Sequence, residues 1–186
     1  TSKPHTRKPK VEFHEFNSYH FVDVWQGTND ESNAIVSEFF ASPEFTTFRP
    51  VNTALETLSK LRDHYEFDLH VVTSRQFLLR EITHKFIDEH YPGVFKGILF
   101  GNHYGAEGEK KLSKPQMMKE IGAEILIDDS HLYASHCANE NLKAVLFGNY
   151  PWNTTQHAKT IEEQHGNWIV RAADWSEVPA AIEKLL

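Results

Sequence analysis

Apolar positions along the chain switch between two spacings. One is the three- or four-residue spacing of a helix that buries one face, and the other is the short continuous run of a buried strand. Helices are expected over residues 51–65, 76–90, 114–121, 131–139 and 178–186, and strands over 67–72, 97–100, 124–127, 143–147 and 168–170. Short strands separated by helices require right-handed crossovers. The pattern therefore predicts an α/β fold with a doubly wound parallel sheet.

The first fifty residues follow a different pattern. Residues 1–10 combine basic residues and prolines without apolar periodicity, which is typical of a flexible basic arm. Aromatic residues recur every three or four positions over 11–25, as in a buried helix face or a packed irregular segment, and a second helix is expected from Asn29 to before Pro43. We therefore expect an arm (1–10), a helical segment (11–48) and an α/β core (49–186) within a single domain, with an irregular stretch between residues 147 and 168.

Composition narrows the classes of protein that fit this pattern. The chain has 186 residues, 40% of them hydrophobic, with a formal charge of -7, and outside the arm 15 basic residues face 26 acidic ones. Such an acidic body is not expected to bind nucleic acid, and no apolar run approaches the ~20 residues of a membrane span. The single cysteine, Cys137, excludes a disulfide framework and favours an intracellular location, in the cytoplasm or an organelle.

Polar residues follow two of the predicted strands, at the edge of a parallel sheet where ligands bind. Thr73 and Ser74 follow the first strand, where hydroxyls at a helix start form an anion site or simply cap the helix. Asp128 and Asp129 end a later strand. Adjacent carboxylates favour a bound cation such as Mg²⁺, although Asp129 alone would also suit a helix cap. Lys114, at the start of a predicted helix, is either part of this site or a solvated surface charge.

Other sequence patterns match no known catalytic or binding motif. The glycines in the stretch 101–108 lack the spacing of a dinucleotide or P-loop fingerprint, so a surface loop is expected there. The twelve histidines include no His-Glu-x-x-His pair, and the sequence has no Gly-x-Ser-x-Gly nucleophile turn.

The order of a strand-end Thr-Ser, a Lys and a strand-end Asp-Asp resembles the second, third and fourth motifs of the haloacid dehalogenase (HAD) superfamily of phosphohydrolases. From about Phe13 to Asn153 the chain looks most like the 5'-nucleotidase, deoxy, C-type branch, in the segments HEFNSYHF, VDVW, EFFASPEF, VVTSR, KLSKPQMMKEIGAEILIDDS and YPWN. The resemblance implies a fold with a small helical cap formed by 11–48, and Mg²⁺-dependent hydrolysis of a small phosphorylated molecule.

Residue by residue, the resemblance implies one role for each motif. Thr73, with Ser74 beside it, would hold the phosphoryl oxygens, and Lys114 would neutralise the charge of the phosphate and the nucleophile. Asp128 and Asp129 would hold or orient Mg²⁺. These roles agree with the chemistry of phosphoryl transfer, which depends on positioning and charge stabilisation.

The family's first motif, Asp-x-Asp, is absent. The eight aspartates include no pair separated by one residue, and the nearest imitation, Asp23-Val24-Trp25, has Trp where the second Asp should be. In relatives the strand that carries the nucleophile precedes the cap. Two interpretations stay open: a longer product supplies that strand, or the protein has lost it and works as a non-catalytic binding or scaffolding domain. In either case the chain as it stands is expected to be inactive or nearly so.

Loss of a central strand would expose the backbone edges of its two neighbours. We therefore expect another segment to fill this position, or the domain to self-associate as a homo-oligomer.

Overall fold

Five short strands pair in parallel in the computed structural model, which describes residues 10–18, 20–103 and 108–186. They are β1 (His70–Thr73), β2 (Gly97–Phe100), β3 (Ile125–Asp128), β4 (Lys143–Phe147) and β5 (Ile169–Ala172). Nine of the ten residues of the predicted arm lie outside the described part of the chain. The α/β fold class with parallel strands joined by helices is confirmed.

The strands form two ladders. β1 pairs with β2, with His70 opposite Gly97 and Thr73 opposite Phe100. The second ladder has the order β3-β4-β5, with Asp128 opposite Leu146. Within the described residues no strand pairs with the other edge of β1 or of β3. Each of these two strands therefore presents one unpaired edge in this part of the chain.

Nine α-helices accompany the strands in the described residues. They are α1 (Phe21–Trp25), α2 (Asn29–Phe40), α3 (Pro43–Thr46), α4 (Ala54–Asp63), α5 (Arg80–His90), α6 (Lys114–Glu120), α7 (His131–Asn139), α8 (Gln156–Gln164) and α9 (Val178–Leu185), with 3-10 turns at Phe13–Glu15 and Phe77–Leu79. The irregular stretch expected before β5 is wrong, because α8 lies there. Its buried side includes only Ala158 and Ile161, too short a stripe to show in the sequence.

The described residues divide into two compact units. The first comprises the described residues up to Arg49 together with Asn149–Thr160, and the second comprises Pro50–Gly148 and Ile161–Leu186. In the first unit, Thr28 and Glu31 form a reciprocal capping box that starts α2. The described residues between 11 and 25 include a 3-10 turn (Phe13–Glu15) and the five-residue α1.

The second unit contains the core that positions the strand ends. Its main cluster packs β3, β4 and β5 against α6 and α7, with Val72 of β1 against it; its buried members are Met118, Leu126, Ala134, Cys137, Ala138, Ala144, Leu146, Ile161 and Ile169. A second cluster joins α4 to the segment before β2 through Leu58 and Val94. None of the described helices has the length and hydropathy of a membrane span.

Candidate functional site

Lys114 joins the ends of two strands in the second unit. It is the first residue of α6, and its ammonium donates to the backbone carbonyl of Val72 in β1. The same nitrogen lies 3.2 Å from Oδ2 of Asp128, the last residue of β3. Lys114 is only 5% exposed, so its interpretation as a solvated surface charge is wrong. The structure thus brings together Lys114, Asp128 and the residue next to Thr73.

The start of α6 fixes the backbone position of Lys114. Ser113 caps the helix: its Oγ accepts from the backbone N of Gln116, and Gln116 Oε1 accepts from the backbone N of Ser113 at 2.8 Å. Pro115 follows within the first turn, where its missing N–H and fixed φ are tolerated. Met117 and Met118 are buried behind it. The capping box and the core packing therefore hold Lys114 at this strand edge.

The contact with Val72 takes the place of a strand hydrogen bond. In a parallel ladder the carbonyls of a strand alternate between its two sides. Leu69 O and Thr73 O accept from backbone N–H groups of the segment around β2, so Val72 O points to the other side. There it accepts from Lys114. An ammonium has three N–H donors, and among the described residues only Val72 O and Asp128 Oδ2 accept from this one.

The Thr73 hydroxyl accepts one hydrogen bond from the backbone. Its Oγ1 accepts from the backbone N of Arg75 at 3.2 Å, and no acceptor for its own O–H lies among the described residues. The first helical turn after β1 starts at Phe77, and α5 starts at Arg80. The expectation that Thr73 and Ser74 open or cap a helix is therefore wrong. At this strand end the Thr73 hydroxyl has an uncommitted proton, whereas the Ser74 hydroxyl donates to Tyr133 Oη.

The acidic pair lies at the end of β3. Asp128 Oδ1 accepts from the backbone N of Ser130 at 2.9 Å, while Oδ2 faces Lys114. Asp129 follows directly, but Ser130 is the cap of α7, where its Oγ accepts from the backbone N of Tyr133. The N-cap of α7 is therefore Ser130 and not Asp129.

The donor set partly suits Mg²⁺. The described residues contain no group of three or more His, Cys, Asp or Glu side chains that could hold a metal ion. Mg²⁺, however, commonly binds through one or two carboxylates together with phosphate oxygens and water. Asp128 and Asp129 match that requirement in number and chemistry, although both oxygens of Asp128 have protein partners, Lys114 and the backbone N of Ser130. The pair therefore fits a cation held jointly with a phosphate group rather than by the protein alone.

Asn102 connects the loops that follow β1 and β2. It is fully buried with φ of 52°, and its backbone N donates to Arg75 O at 3.2 Å. Its side-chain Oδ1 accepts from the backbone N of Phe77 at 3.1 Å. The surface loop expected over 101–108 is wrong for Gly101 and Asn102, which are buried, while residues 104–107 lie outside the described part of the chain. The Gly-Asn pair after a strand was the available signal, since both residue types suit unusual backbone turns.

Tyr133 and His103 are further site residues that the sequence did not reveal. Tyr133 Oη accepts from Ser74 Oγ at 3.0 Å and lies 3.2 Å from His103 Nδ1. Lys114 Nζ is 5.5 Å from the centroid of the Tyr133 ring. The side chain of Ser74 is thereby fixed by residues from two other elements.

Arg75 adds a second cation near these strand ends. Its Nη1 donates to Thr83 Oγ1 at 3.0 Å, and burial lowers the pKa of Arg75 from its ordinary value. A guanidinium nevertheless stays charged in proteins.

Asp23 belongs to the nearest imitation of the absent Asp-x-Asp motif. Asp23 is an exposed residue of α1, in the first unit, and accepts a hydrogen bond from Ser18 Oγ at 3.2 Å. Among the described residues, Asp128 is the carboxylate paired with Lys114.

Comparison with solved structures shows where this fold occurs. The chain is similar to a crystal structure from Lactobacillus delbrueckii subsp. bulgaricus described as a "putative phosphoglycolate phosphatase", with a TM-score of 0.55 and 20% sequence identity. The match covers 84% of this chain and 64% of that one, so the chain spans less than two thirds of the phosphatase. No family model matches the sequence, and no curated protein matches it. At this identity the likeness shows a shared α/β fold with parallel strands.

Proposed function

We propose that this chain forms the phosphate-binding part of a HAD-like phosphohydrolase related to the 5'-nucleotidases, with a small phosphorylated molecule as its ligand. The observation that carries the proposal is the buried Lys114, which lies at the carboxyl ends of β1 and β3 with an N–H to spare. Burying an ammonium is unfavourable unless acceptors surround it. An anion at this position would accept the remaining N–H of Lys114, beside the two acceptors Val72 O and Asp128.

Each residue of the site has one task in this proposal. The Thr73 hydroxyl, whose proton is uncommitted, donates to a phosphoryl oxygen, and Ser74 contributes a second hydroxyl beside it. Lys114 neutralises the charge of the anion. Asp128 and Asp129 would hold Mg²⁺, which supplies positive charge that stabilises the phosphoryl oxygens. When no ligand is bound, the negative charges of Asp128 and Asp129 offset the positive charge of Lys114.

The chain is proposed to bind phosphate without hydrolysing phosphomonoesters at an appreciable rate. A covalent route needs a carboxylate in line with the phosphorus atom, and the sequence contains no Asp-x-Asp pair to provide it. Asp128 cannot take that part while it is held by Lys114 and the backbone N of Ser130. Binding and turnover are therefore expected to separate in this chain.

Calorimetric titration with inorganic phosphate tests the proposal. Thr73→Val preserves shape but removes a charge-assisted hydrogen bond, which contributes about 1.5–3 kcal/mol, so binding is expected to weaken at least about tenfold. The matched control is Thr160→Val, because the Thr160 hydroxyl donates to Gln156 O on α8, outside the proposed site. That variant should bind as the unmodified chain does. Equal binding by all three proteins would refute the proposed site.

A second assay addresses turnover. p-Nitrophenyl phosphate with Mg²⁺ should yield no p-nitrophenol above the uncatalysed rate. Hydrolysis that disappears in Thr73→Val would show that a nucleophile is present after all, and would contradict the inactive assignment while supporting the location of the site.

The unpaired edges of β1 and β3 favour a second candidate function, a non-catalytic binding or scaffolding domain. Val72 O in β1 already accepts a hydrogen bond from Lys114, which lies outside the ladder. The same ammonium is paired with Asp128 at the end of β3. A parallel strand from another segment or from a second copy of the chain would satisfy the remaining backbone groups. Light scattering coupled to size exclusion over a hundredfold range of concentration tests self-association. A constant monomer mass would exclude the second copy.

A further inference from the structure

Three side chains form a hydrogen-bonded row beside the proposed anion site. It runs from Ser74 Oγ to Tyr133 Oη at 3.0 Å, and from Tyr133 Oη to His103 Nδ1 at 3.2 Å. His103 Nε2 ends the row on the backbone carbonyl of Leu112 at 2.7 Å. The row links elements that lie far apart in sequence, namely the loop after β1, the loop after β2 and the first turn of α7.

The carbonyl of Leu112 fixes the direction of this row. A carbonyl only accepts, so Nε2 of His103 carries a proton. In the neutral imidazole Nδ1 is then an acceptor, and Tyr133 donates to it. Tyr133 Oη can accordingly accept the proton of Ser74. With His103 neutral, the Ser74 hydroxyl is committed to Tyr133 and turns lone pairs, not a donor, toward a ligand.

A proton on His103 reverses the two hydrogen bonds of Tyr133 Oη, while Nε2 still donates to Leu112 O. Both ring nitrogens of the imidazolium are donors, so Nδ1 donates to Tyr133 Oη. The Tyr133 hydroxyl then donates to Ser74 Oγ, which leaves the Ser74 proton free for an anion. The added proton comes from solvent and forms an N–H bond at Nδ1 of His103, and no other covalent bond changes.

We propose that His103 is a positioning residue that decides, through Tyr133, whether Ser74 donates to a bound phosphoryl or sulfate group. The inference rests on the proposed anion site. Several titratable or charged groups surround the row: Lys114 at 5.5 Å from the Tyr133 ring, His136 with its ring 6.4 Å from that of Tyr133, and Glu109, which accepts from the Asn102 side chain. Histidines change charge between pH 5 and 8, so His136 is the group to control for.

Sulfate is the probe of choice, because its charge is constant over this pH range, unlike that of phosphate. Its dissociation constant is measured by calorimetry at pH 5.5 and pH 8.0. One hydrogen bond to a charged group corresponds to about a tenfold change in affinity, so the unmodified chain should bind sulfate about tenfold more tightly at pH 5.5. Tyr133→Phe breaks the row but keeps the ring and the charge of His103, and should reduce the ratio to about threefold or less, the part left to long-range attraction.

Two further variants complete the design. His103→Gln should also lose the pH dependence, whereas His136→Gln, which removes the exposed histidine whose ring lies 6.4 Å from that of Tyr133, should keep the full tenfold ratio. The ¹⁵N chemical shifts of the His103 ring at pH 8.0 supply a readout independent of binding and should show the Nε2–H tautomer.

The outcomes are distinct. The proposed role of His103 is refuted if Tyr133→Phe has the same ratio of sulfate dissociation constants between the two pH values as the unmodified chain. An Nδ1–H tautomer of His103 would refute it as well. Neither result would refute the anion site. Absence of sulfate binding at both pH values in the unmodified chain would refute the proposed function, and the proposed role of His103 with it.

Discussion

Replacing Lys114 with Met should destabilise the second unit strongly, although the two side chains are similar in length. The substitution removes the ammonium from two acceptors, the carboxylate of Asp128 and the carbonyl of Val72. The side chains of Lys114 and Asp128 are only 6% and 11% exposed, so water does not replace the lost partner fully. A carboxylate left behind in such surroundings is the main source of the expected loss.

The magnitude follows from this burial. Removing one partner of a buried ion pair costs about 3–5 kcal/mol, and the hydrogen bond that Asp128 keeps from the backbone N of Ser130 places the expectation at the lower end, about 3 kcal/mol. The double variant Lys114→Met with Asp128→Asn has no unpaired charge. It should be more stable than Lys114→Met alone by about 1–2 kcal/mol, because the remaining amide is cheaper to bury than a carboxylate.

Urea denaturation followed by tryptophan fluorescence measures these differences, since Trp168 and Trp175 lie in the second unit. With a slope of about 2 kcal/mol per molar urea, the midpoint should fall by about 1.5 M. The control is Lys119→Met on the same helix, whose partner Glu140 lies at 2.6 Å but whose pair is 54% and 42% exposed; it should lose less than about 1 kcal/mol. Equal losses for Lys114→Met and Lys119→Met would refute the buried role of Lys114.

Three further predictions concern the second unit. Burial raises the pKa of the Cys137 thiol to about 12, so Ellman's reagent should react with it only on unfolding. The free energy of unfolding should decline as the pH rises past about 9, because the thiol of the unfolded chain ionises first. A Cys137→Ala variant should lack this decline. A Cβ on Gly101 would lie 2.6 Å from Leu112 O, so Gly101→Ala should lower the urea midpoint, whereas Gly166→Ala, whose Cβ would meet its nearest atom at 3.7 Å, should lower it less. Arg171 donates to Glu162 through Nε and Nη2, and Arg171→Lys should fail to restore the stability that Arg171→Met loses, because lysine has no planar fork.

The sequence predicted the strands of this fold better than the segments between them. The strand over 97–100 and the strand over 143–147 coincide with β2 and β4, because each is an apolar run with clear limits. The first strand was placed too early, since the backbone N of Phe67 is bonded to Leu61 O and belongs to the turn after α4. Local apolar patterning cannot distinguish such a turn from the start of a strand.

The candidate site shows a similar division. Thr73, Lys114 and Asp128 could be selected because each stands at the limit of a predicted element. Tyr133 and His103 could not, since their contacts join residues 59 and 30 positions apart and leave no local pattern. The assigned roles of Thr73, Ser74, Lys114, Asp128 and Asp129 in ligand binding stay predictions, as do the cap role of residues 11–48 and the intracellular location.

The central claim, that an anion binds between Thr73 and Lys114 at the strand ends, has one direct measurement. Crystals of the chain soaked in tungstate, a heavy analogue of phosphate, would locate the anion through its anomalous scattering. We expect a tungsten peak whose oxygens lie within hydrogen-bond distance, about 3 Å, of Thr73 Oγ1 and Lys114 Nζ. A well-occupied peak elsewhere, with none beside Lys114, would contradict it.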